Sequence, residues 1–202
     1  MRILQVNTSD VGGGAEIMAV DLSRRYRQRG HKAWLAVGCR MTTEAGVLEI
    51  PRRKPFLGAG ALRRLGQGIE SITPRLRGAW RIGHVVQVLA SGRPGIRTYL
   101  GRDDFSFPGS RSLLRLTPEV PEIVHLHNLH GDYFDLRYLS SLSRAVPVVL
   151  TLHDAWMLSG HCAHSIECEK WKTGCGTCPD LSIPRSVMRD AKVYNWRTKR
   201  NI

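Results

Sequence analysis

Apolar and polar positions change their spacing several times along the chain, and each change marks an element. Arg2 to Val6 is short and dominated by Ile3, Leu4 and Val6, which predicts a short buried strand. The segment Asn7-Thr8-Ser9-Asp10-Val11-Gly12-Gly13-Gly14 breaks that run. Apolar residues then recur at Ala15, Met18, Ala19, Leu22 and Tyr26, one face of a helix. Arg24, Arg25 and Arg27 crowd its last turns, where cations suit the negative end of the helix dipole, and Gly30 supplies the stop. Trp34 to Val37 predicts a second strand. Strand, glycine loop, helix and strand together open a parallel α/β sheet.

The middle of the chain is less regular. From Met41 to about Gly66 basic residues alternate with Gly and Pro, a pattern that predicts loop and one short helix around Leu62 to Leu65. Thr73 is placed to cap a helix starting at Pro74, with Leu76, Trp80, Gly83, Val86 and Ala90 on one face, Arg75, Arg77 and Arg81 on the other, and Gly92 past its end. The apolar stripe reads as the core-facing side of a surface helix, with a membrane-lying helix as the alternative. Glu122 to His127 predicts a strand, Asp132 to Leu142 a helix, and Val146 to Leu152 a strand rich in β-branched residues. A cysteine-rich segment, Cys162 to Cys178, and a helical stretch from Val187 to Arg200 follow. The expected fold is α/β, a Rossmann-like doubly wound parallel sheet in one domain spanning 1–202, with a cysteine-rich insertion at 160–180 after a late strand.

Composition narrows the partners. The 202 residues are 42% hydrophobic with five Trp, enough for one folded domain by the prior of roughly 100 to 200 residues each. No apolar run approaches the roughly 18 to 20 residues needed to cross a bilayer, and Met1 to Val6 is too short for a signal-peptide core. The expected location is therefore cytoplasmic. Thirty Lys and Arg against 17 Asp and Glu leave a formal charge of +13, which attracts phospholipid, nucleic acid or a phosphorylated substrate, or simply makes a solvated basic face. Much of the excess is arginine in the middle: Arg52, Arg53, Arg63, Arg64, Arg75, Arg77 and Arg81.

Ligands of open parallel sheets bind at the carboxyl ends of the strands, so the residues after each predicted strand are the candidates. Gly12-Gly13-Gly14-Ala15-Glu16 offers close backbone approach and the N–H groups of a helix start, suited to an anion or a sugar, or it is a flexible turn; it lacks the G-x-G-x-x-G spacing. His125-Leu126-His127-Asn128-Leu129-His130 sets His125 and His127 on one side of a strand and Leu126 on the other, two imidazoles at a strand tip. A metal there would find no carboxylate at a matching spacing. His153-Asp154-Ala155-Trp156 again follows a strand, where Asp154 orients a histidine, binds a hydroxyl or caps a helix.

These segments carry a resemblance. Ile123-Val124-His125-Leu126-His127-Asn128-Leu129-His130-Gly131, Leu150-Thr151-Leu152-His153-Asp154-Ala155-Trp156, Gly160-His161-Cys162-Ala163-His164 and Lys170-Trp171-Lys172-Thr173-Gly174-Cys175-Gly176-Thr177-Cys178-Pro179 resemble a subgroup of bacterial group 1, family 4-like glycosyltransferases. The glycine loop and first helix match as well, and roughly 45 to 100 matches poorly. The resemblance implies the acceptor-side, N-terminal half of a GT-B fold in an enzyme of exopolysaccharide synthesis. It implies hexosyl transfer from a nucleotide sugar to a glycan or polyprenyl-linked acceptor, with retention and without a catalytic metal. Carried over, Gly12, Gly13 and Gly14 line the cleft near the donor phosphates, His127 faces the transferred sugar, and His153 and Asp154 line the acceptor side. The chain stops at Ile202, where the family enters its donor-binding domain. Little or no transfer by this chain alone is therefore expected, and a separately encoded donor domain becomes a candidate partner. For such an enzyme the basic surface implies peripheral attachment to anionic lipid on the inner face of the membrane.

Four of the five cysteines fall at Cys162, Cys168, Cys175 and Cys178, with His161 and His164 beside them. The two-residue gap of the last pair suits a structural zinc site, with disulfide or redox use and unliganded thiols as alternatives; Cys39 reads as an ordinary buried thiol. A zinc-stabilised nucleic-acid-binding module is the competing reading, on the cysteines, the charge and the Tyr194, Trp196, Arg197, Lys199, Arg200 tail. It leaves the glycine loop, the histidine motifs and the α/β order unexplained. A non-catalytic partner domain is the third.

Overall fold

The computed structural model describes residues 1–52, 55–72 and 79–202, and at positions 93 and 94 the backbone alone. Its centre is β1 (Arg2–Ser9), in which Ile3 to Asn7 are buried without a break. A strand covered on both faces needs no alternation, and that is why its sequence is a run rather than a repeat. It pairs in parallel with β2 (Lys32–Cys39) on one edge and β4 (Ile123–Leu126) on the other, so that Leu4 lies opposite Trp34 and Val124. Outside these stand β3 (Val47–Glu49) and β5 (Val148–Leu150), giving a parallel sheet of order β3-β2-β1-β4-β5. This is the doubly wound α/β arrangement expected from the sequence.

The helix α1 (Gly14–Gln28) crosses from β1 to β2 and covers one face of the sheet, where Ala19 and Val20 pack on Leu35, Val37 and Val47. Its buried stripe contains Ala15, Ala19 and Ser23, while Met18, expected in that stripe, is exposed. Small residues let the helix lie close on the sheet. Gly30, at φ +80°, ends the turn as expected. The opposite face holds the larger core, in which Leu4, Val6, Val124 and Leu126 meet Leu113, Phe134, Leu136, Leu142 and Trp156.

The middle segment departs most from expectation. The short helix predicted near Leu62 to Leu65 is the longer α2 (Ala59–Ser71), and it packs on α3 (Ala79–Ala90). The contact is glycine on glycine: a Cβ on Gly83 would fall 2.8 Å from the Gly66 carbonyl oxygen. The buried face of α3 is accordingly Ala79, Gly83 and Ala90, and Trp80, placed on the core stripe by its spacing, is 51% exposed. Thr73, Pro74, Arg75, Leu76 and Arg77, with Arg53, lie outside the described residues. Gly92 does end α3, but at φ +66° it redirects the chain into α4 (Gly92–Tyr99), which the sequence did not announce. Three-residue β3 was also missed, being too short to show a period. Among the described residues no helix is long and apolar enough to cross a membrane.

After the short α5 (Leu113–Leu116), the helix predicted from Asp132 begins only at Leu139, as α6 (Leu139–Ala145). Asp132 at φ +60° and a 3₁₀ turn at Leu136–Tyr138 occupy the interval. Beyond β5 the chain is mostly irregular, with α7 (Lys170–Thr173) and α8 (Tyr194–Arg200), the latter shorter than the expected 187–200. Lys199 fastens α8 to the loop after β5. Its side chain is buried, donates to the carbonyls of Trp156, Ser159 and Gly160, and pairs with Asp103 at 3.2 Å. Burial pushes the Lys199 pKa down to about 8, against the pull of Asp103.

Gly38 in β2 holds the loop after β4 in place. A Cβ there would stand 2.5 Å from both Cβ and Cγ of Tyr133, and the Tyr133 hydroxyl donates to the Asn128 carbonyl in the same loop. We expect Gly38→Val to cost about 1–3 kcal/mol by overpacking, read as a lower urea midpoint; an unchanged midpoint would show that Tyr133 has room to move aside.

Candidate functional site

The strand order reverses at β1. The chain leaves β1 toward β2 and β3 and leaves β4 toward β5, so the loops after these two neighbouring strands diverge and open a crevice at their carboxyl ends. Both loops are polar and both are tied down. The Thr8 hydroxyl lies 2.9 Å from the His130 carbonyl and 3.3 Å from that of Asn128, joining the two loops across the crevice. Gly131, at φ +105°, is where they come closest: a Cβ would sit 2.6 Å from the Thr8 methyl.

On the β1 side lie Gly12, Gly13 and Gly14. Gly13 caps α1 with no side-chain bond, so the first-turn N–H groups face outward, and Gly12 has a φ of +154° that suits glycine. The Glu16 carboxylate folds back over this loop, its Oε2 3.3 Å from the place a Cβ would take on Gly12; around Gly14 nothing lies within 4 Å. Asp10, which the sequence reading passed over, fixes the loop's base. It accepts from the backbone of Met41 at 2.7 Å and of Thr42 at 2.9 Å, and from the Thr42 hydroxyl. Burial works against its charge, but these hydrogen bonds hold its carboxyl below the usual carboxylate range. An aspartate before three glycines was the signal available.

On the β4 side the histidines form two hydrogen-bonded series. His125 and His127 do share one face, their ring centroids 4.2 Å apart, while Leu126 is in the core. His127 is 2% exposed and both its ring nitrogens are engaged, Nε2 with Gln5 Oε1 at 3.0 Å and Nδ1 with His153 Nε2 at 2.9 Å. Gln5 is in turn held by its amide, which donates to the Ala19 carbonyl of α1. His125 bonds Thr151 at 2.7 Å. Burial pushes His125 down, helped by His153; for His127 burial first, and then the charges of His125 and His153, push the pKa down to about 3.

In the second series His130 sits between Asp154 Oδ2, 2.8 Å away, and Arg185, whose guanidinium donates to Nδ1 at 2.9 Å. Asp154 therefore orients a histidine, and its other oxygen accepts from the Trp156 backbone. Burial opposes the Asp154 charge, yet the bonds from His130 and Trp156 keep its pKa low. Arg185 also borders an adjoining cavity of about 330 Å³, lined further by Arg102, Asp103, Asp104, Asp132 and His161. Gln5, Thr8, Arg185 and Thr151 were not found from the sequence, because their partners are remote in it.

The cysteines gather around one small cavity of about 30 Å³ lined by Cys162, Cys168, Cys175, Cys178 and His161. His161 Nδ1 bonds the Arg185 carbonyl, which leaves Nε2 3.4 Å from Cys178 Sγ and 4.0 Å from Cys162 Sγ. All five cysteines are free thiols, and burial raises the pKa of Cys162 and Cys175. Among the described residues no group of three or more His, Cys, Asp or Glu is arranged to hold a metal ion. Cys39 is half-buried rather than buried, its sulfur against that of Met41.

The fold and site thus define a doubly wound α/β domain with a glycine loop and histidine-lined strand tips meeting at its switch point. Against known proteins, the chain is 29% identical over 195 residues to the Escherichia coli (strain K12) protein named "Putative colanic acid biosynthesis glycosyl transferase WcaC". The match takes in 90% of this chain and spans 40% of that protein's length. No protein-family model matches the chain, and no solved structure matches it.

Burial of His127 makes stability depend on pH. The unfolded chain protonates this residue near pH 6.5 and the folded chain only near pH 3, so its contribution is complete above the first value and falls away toward the second. The slope it contributes is at most about 1.4 kcal/mol per pH unit. Urea midpoints followed from about pH 7 to 4 should fall less steeply for His127→Gln than for the parent, and parallel curves would contradict this assignment.

Proposed function

We propose that the chain is the acceptor-side domain of a GT-B glycosyltransferase that moves a hexose from a nucleotide sugar to a glycan or polyprenyl-linked acceptor in exopolysaccharide synthesis. The observation that carries the reading is the meeting of the glycine loop and the histidine row at the β1/β4 switch point. The similarity to a protein named as a colanic acid biosynthesis glycosyl transferase supports it.

The chemistry asked of these residues is binding and polarisation. The first-turn N–H groups of α1 and the backbone of Gly12, Gly13 and Gly14 suit the phosphates of a departing nucleotide once the Glu16 carboxylate swings off Gly12 and Gly13, and such phosphates need positioned dipoles and no metal. On the histidine side burial keeps His125 and His127 from adding charge beside a developing oxocarbenium ion, and ring nitrogens of the row suit hydrogen bonds to sugar hydroxyls. Retention of configuration belongs to this proposal, as does the inactivity of the domain without a donor-binding partner. On this reading His127, His153 and Asp154 organise the sugar side of the crevice, with Asp154 acting through His130.

The protein isolated from its own source at its natural length, given a panel of nucleotide sugars and polyprenyl-diphosphate-linked acceptors, should transfer sugar. Gly13→Val should reduce turnover about 100-fold or more by moving the loop off the phosphates. Absence of transfer by a folded protein with every donor would reject the reading.

The free thiols around one cavity with His161 support a structural zinc at Cys162, Cys168, Cys175 and Cys178. The described donors do not enclose an ion, so side chains must turn for it to bind, and the ion would pin this segment without taking part in transfer. Native mass spectrometry should show one zinc per chain, lost in Cys178→Ser; a metal-free parent chain would leave the cysteines as unliganded thiols.

A further inference from the structure

The two histidine series differ in how they end. In the His130 series both ring nitrogens are consumed, by Asp154 and by Arg185. In the Gln5 series the hydrogen bonds run one way. The Ala19 carbonyl has only lone pairs, so Gln5 must turn its NH₂ toward it and its oxygen toward His127. That oxygen also has only lone pairs, so His127 carries its proton on Nε2 and offers a lone pair at Nδ1. His153 must then carry a proton on Nε2 to meet it. The series ends on His153 Nδ1, which has no partner among the described residues and belongs to a half-buried side chain. His125 also keeps Nδ1 unengaged, but it stands within β4, level with Gln5 and Val149 and one pleat below the strand tips.

We propose that His153 is the residue this row presents to a sugar hydroxyl, and that His127 is a positioning residue that fixes the His153 ring and its tautomer through Gln5 and α1. The inference rests on the sugar-transfer reading for its ligand, whereas the direction of the hydrogen bonds rests on geometry alone. Neutral His153 accepts a hydrogen bond from the hydroxyl at Nδ1, and the protonated ring donates one to its oxygen, so a hydroxyl satisfies either state. The arrangement is that of a histidine oriented by a buried partner, with imidazole and amide replacing the carboxylate that would otherwise hold the ring. A carboxylate at the place of Gln5 would draw a second proton onto the row. The neutral amide keeps His127 uncharged beside His125 and His153, which a crowded set of rings requires.

The test is two-bond ¹H–¹⁵N correlation spectroscopy on the full chain with labelled histidine, assigned with single histidine variants. His127 should show one neutral tautomer with its proton on Nε2 throughout mild acid, and neutral His153 should carry its proton on Nε2. Gln5→Leu should mix the tautomers of both rings, and Gln5→Glu, which restores an acceptor, should put a proton back on His127 Nε2 and draw the second proton onto the row at a higher pH than in the parent. A His127 proton on Nδ1 in the parent, or tautomers indifferent to Gln5→Leu in a chain still folded by its amide spectrum, would overturn the relay. UDP-glucose, GDP-mannose and free galactose are then added in turn. Movement of His153 with little change at His130 supports its role toward the hydroxyl. Movement of the Gly12 to Gly14 amides with His153 unmoved, or silence of both toward all three probes, would sink this proposal alone, since the sugar-transfer reading is decided by the transfer assay on the protein at its natural length.

Discussion

A parallel strand buried on both faces must satisfy its backbone hydrogen bonds on both edges, and β1 meets that demand by pairing with β2 on one side and β4 on the other. Everything else is arranged around that choice. The crossover through α1 covers one face, and the long excursion from β3 back to β4 returns the chain to the other edge of the same strand. Connections that leave the neighbouring strands β1 and β4 in opposite directions leave nothing to fill the space above the reversal. The crevice is therefore a consequence of backbone pairing, and the residues just past the strand ends inherit a position facing it.

That position is polar and partly dry, so side chains placed there have to be paired. Gln5, Asn7 and His127 are all buried there, and the cost is offset by bonds of Gln5 to α1 and of His127 to two neighbours, whereas Asn7 donates its amide to the Ser9 carbonyl and leaves its Oδ1 without a partner among the described residues. Lys199 solves the same problem from the opposite end of the chain, gathering three carbonyls of the loop after β5 under one ammonium above the Trp156 ring. The loop that bears His153 and Asp154 is thus followed closely by a segment clamped by α8. A histidine set on such a base is held in place by the fold, which lowers the entropic cost of binding whatever ligand it meets.

Legibility in the sequence followed the range of the interactions. The strands β1, β2, β4 and β5, the helix α1 and its glycine stop were readable because burial imposes a period and dipole and turn chemistry act within a few residues. The glycine loop and the histidine clusters stood out for the same reason, being local in composition. Trp80 and Met18 were placed on the wrong side because large apolar residues were assumed to face inward, whereas α1 and α3 bury alanine, glycine and serine to approach their neighbours closely. The helix α2 was read short since its glycines look like breakers until Gly66 is seen against Gly83.

The sequence by itself determined that this is a doubly wound α/β chain whose candidate chemistry stands at strand ends, since hydrophobic period and turn residues are properties of adjacent positions. Only the tertiary structure decided which polar groups meet. It joined Gln5 to His127, His127 to His153, Arg185 to His130 and Lys199 to the loop after β5, pairs separated by 26 to 122 positions. Hydrogen bonds act over about 3 Å and have direction, so which nitrogen of a histidine is used, and which is left to face a ligand, is set by neighbours that the sequence does not place beside it.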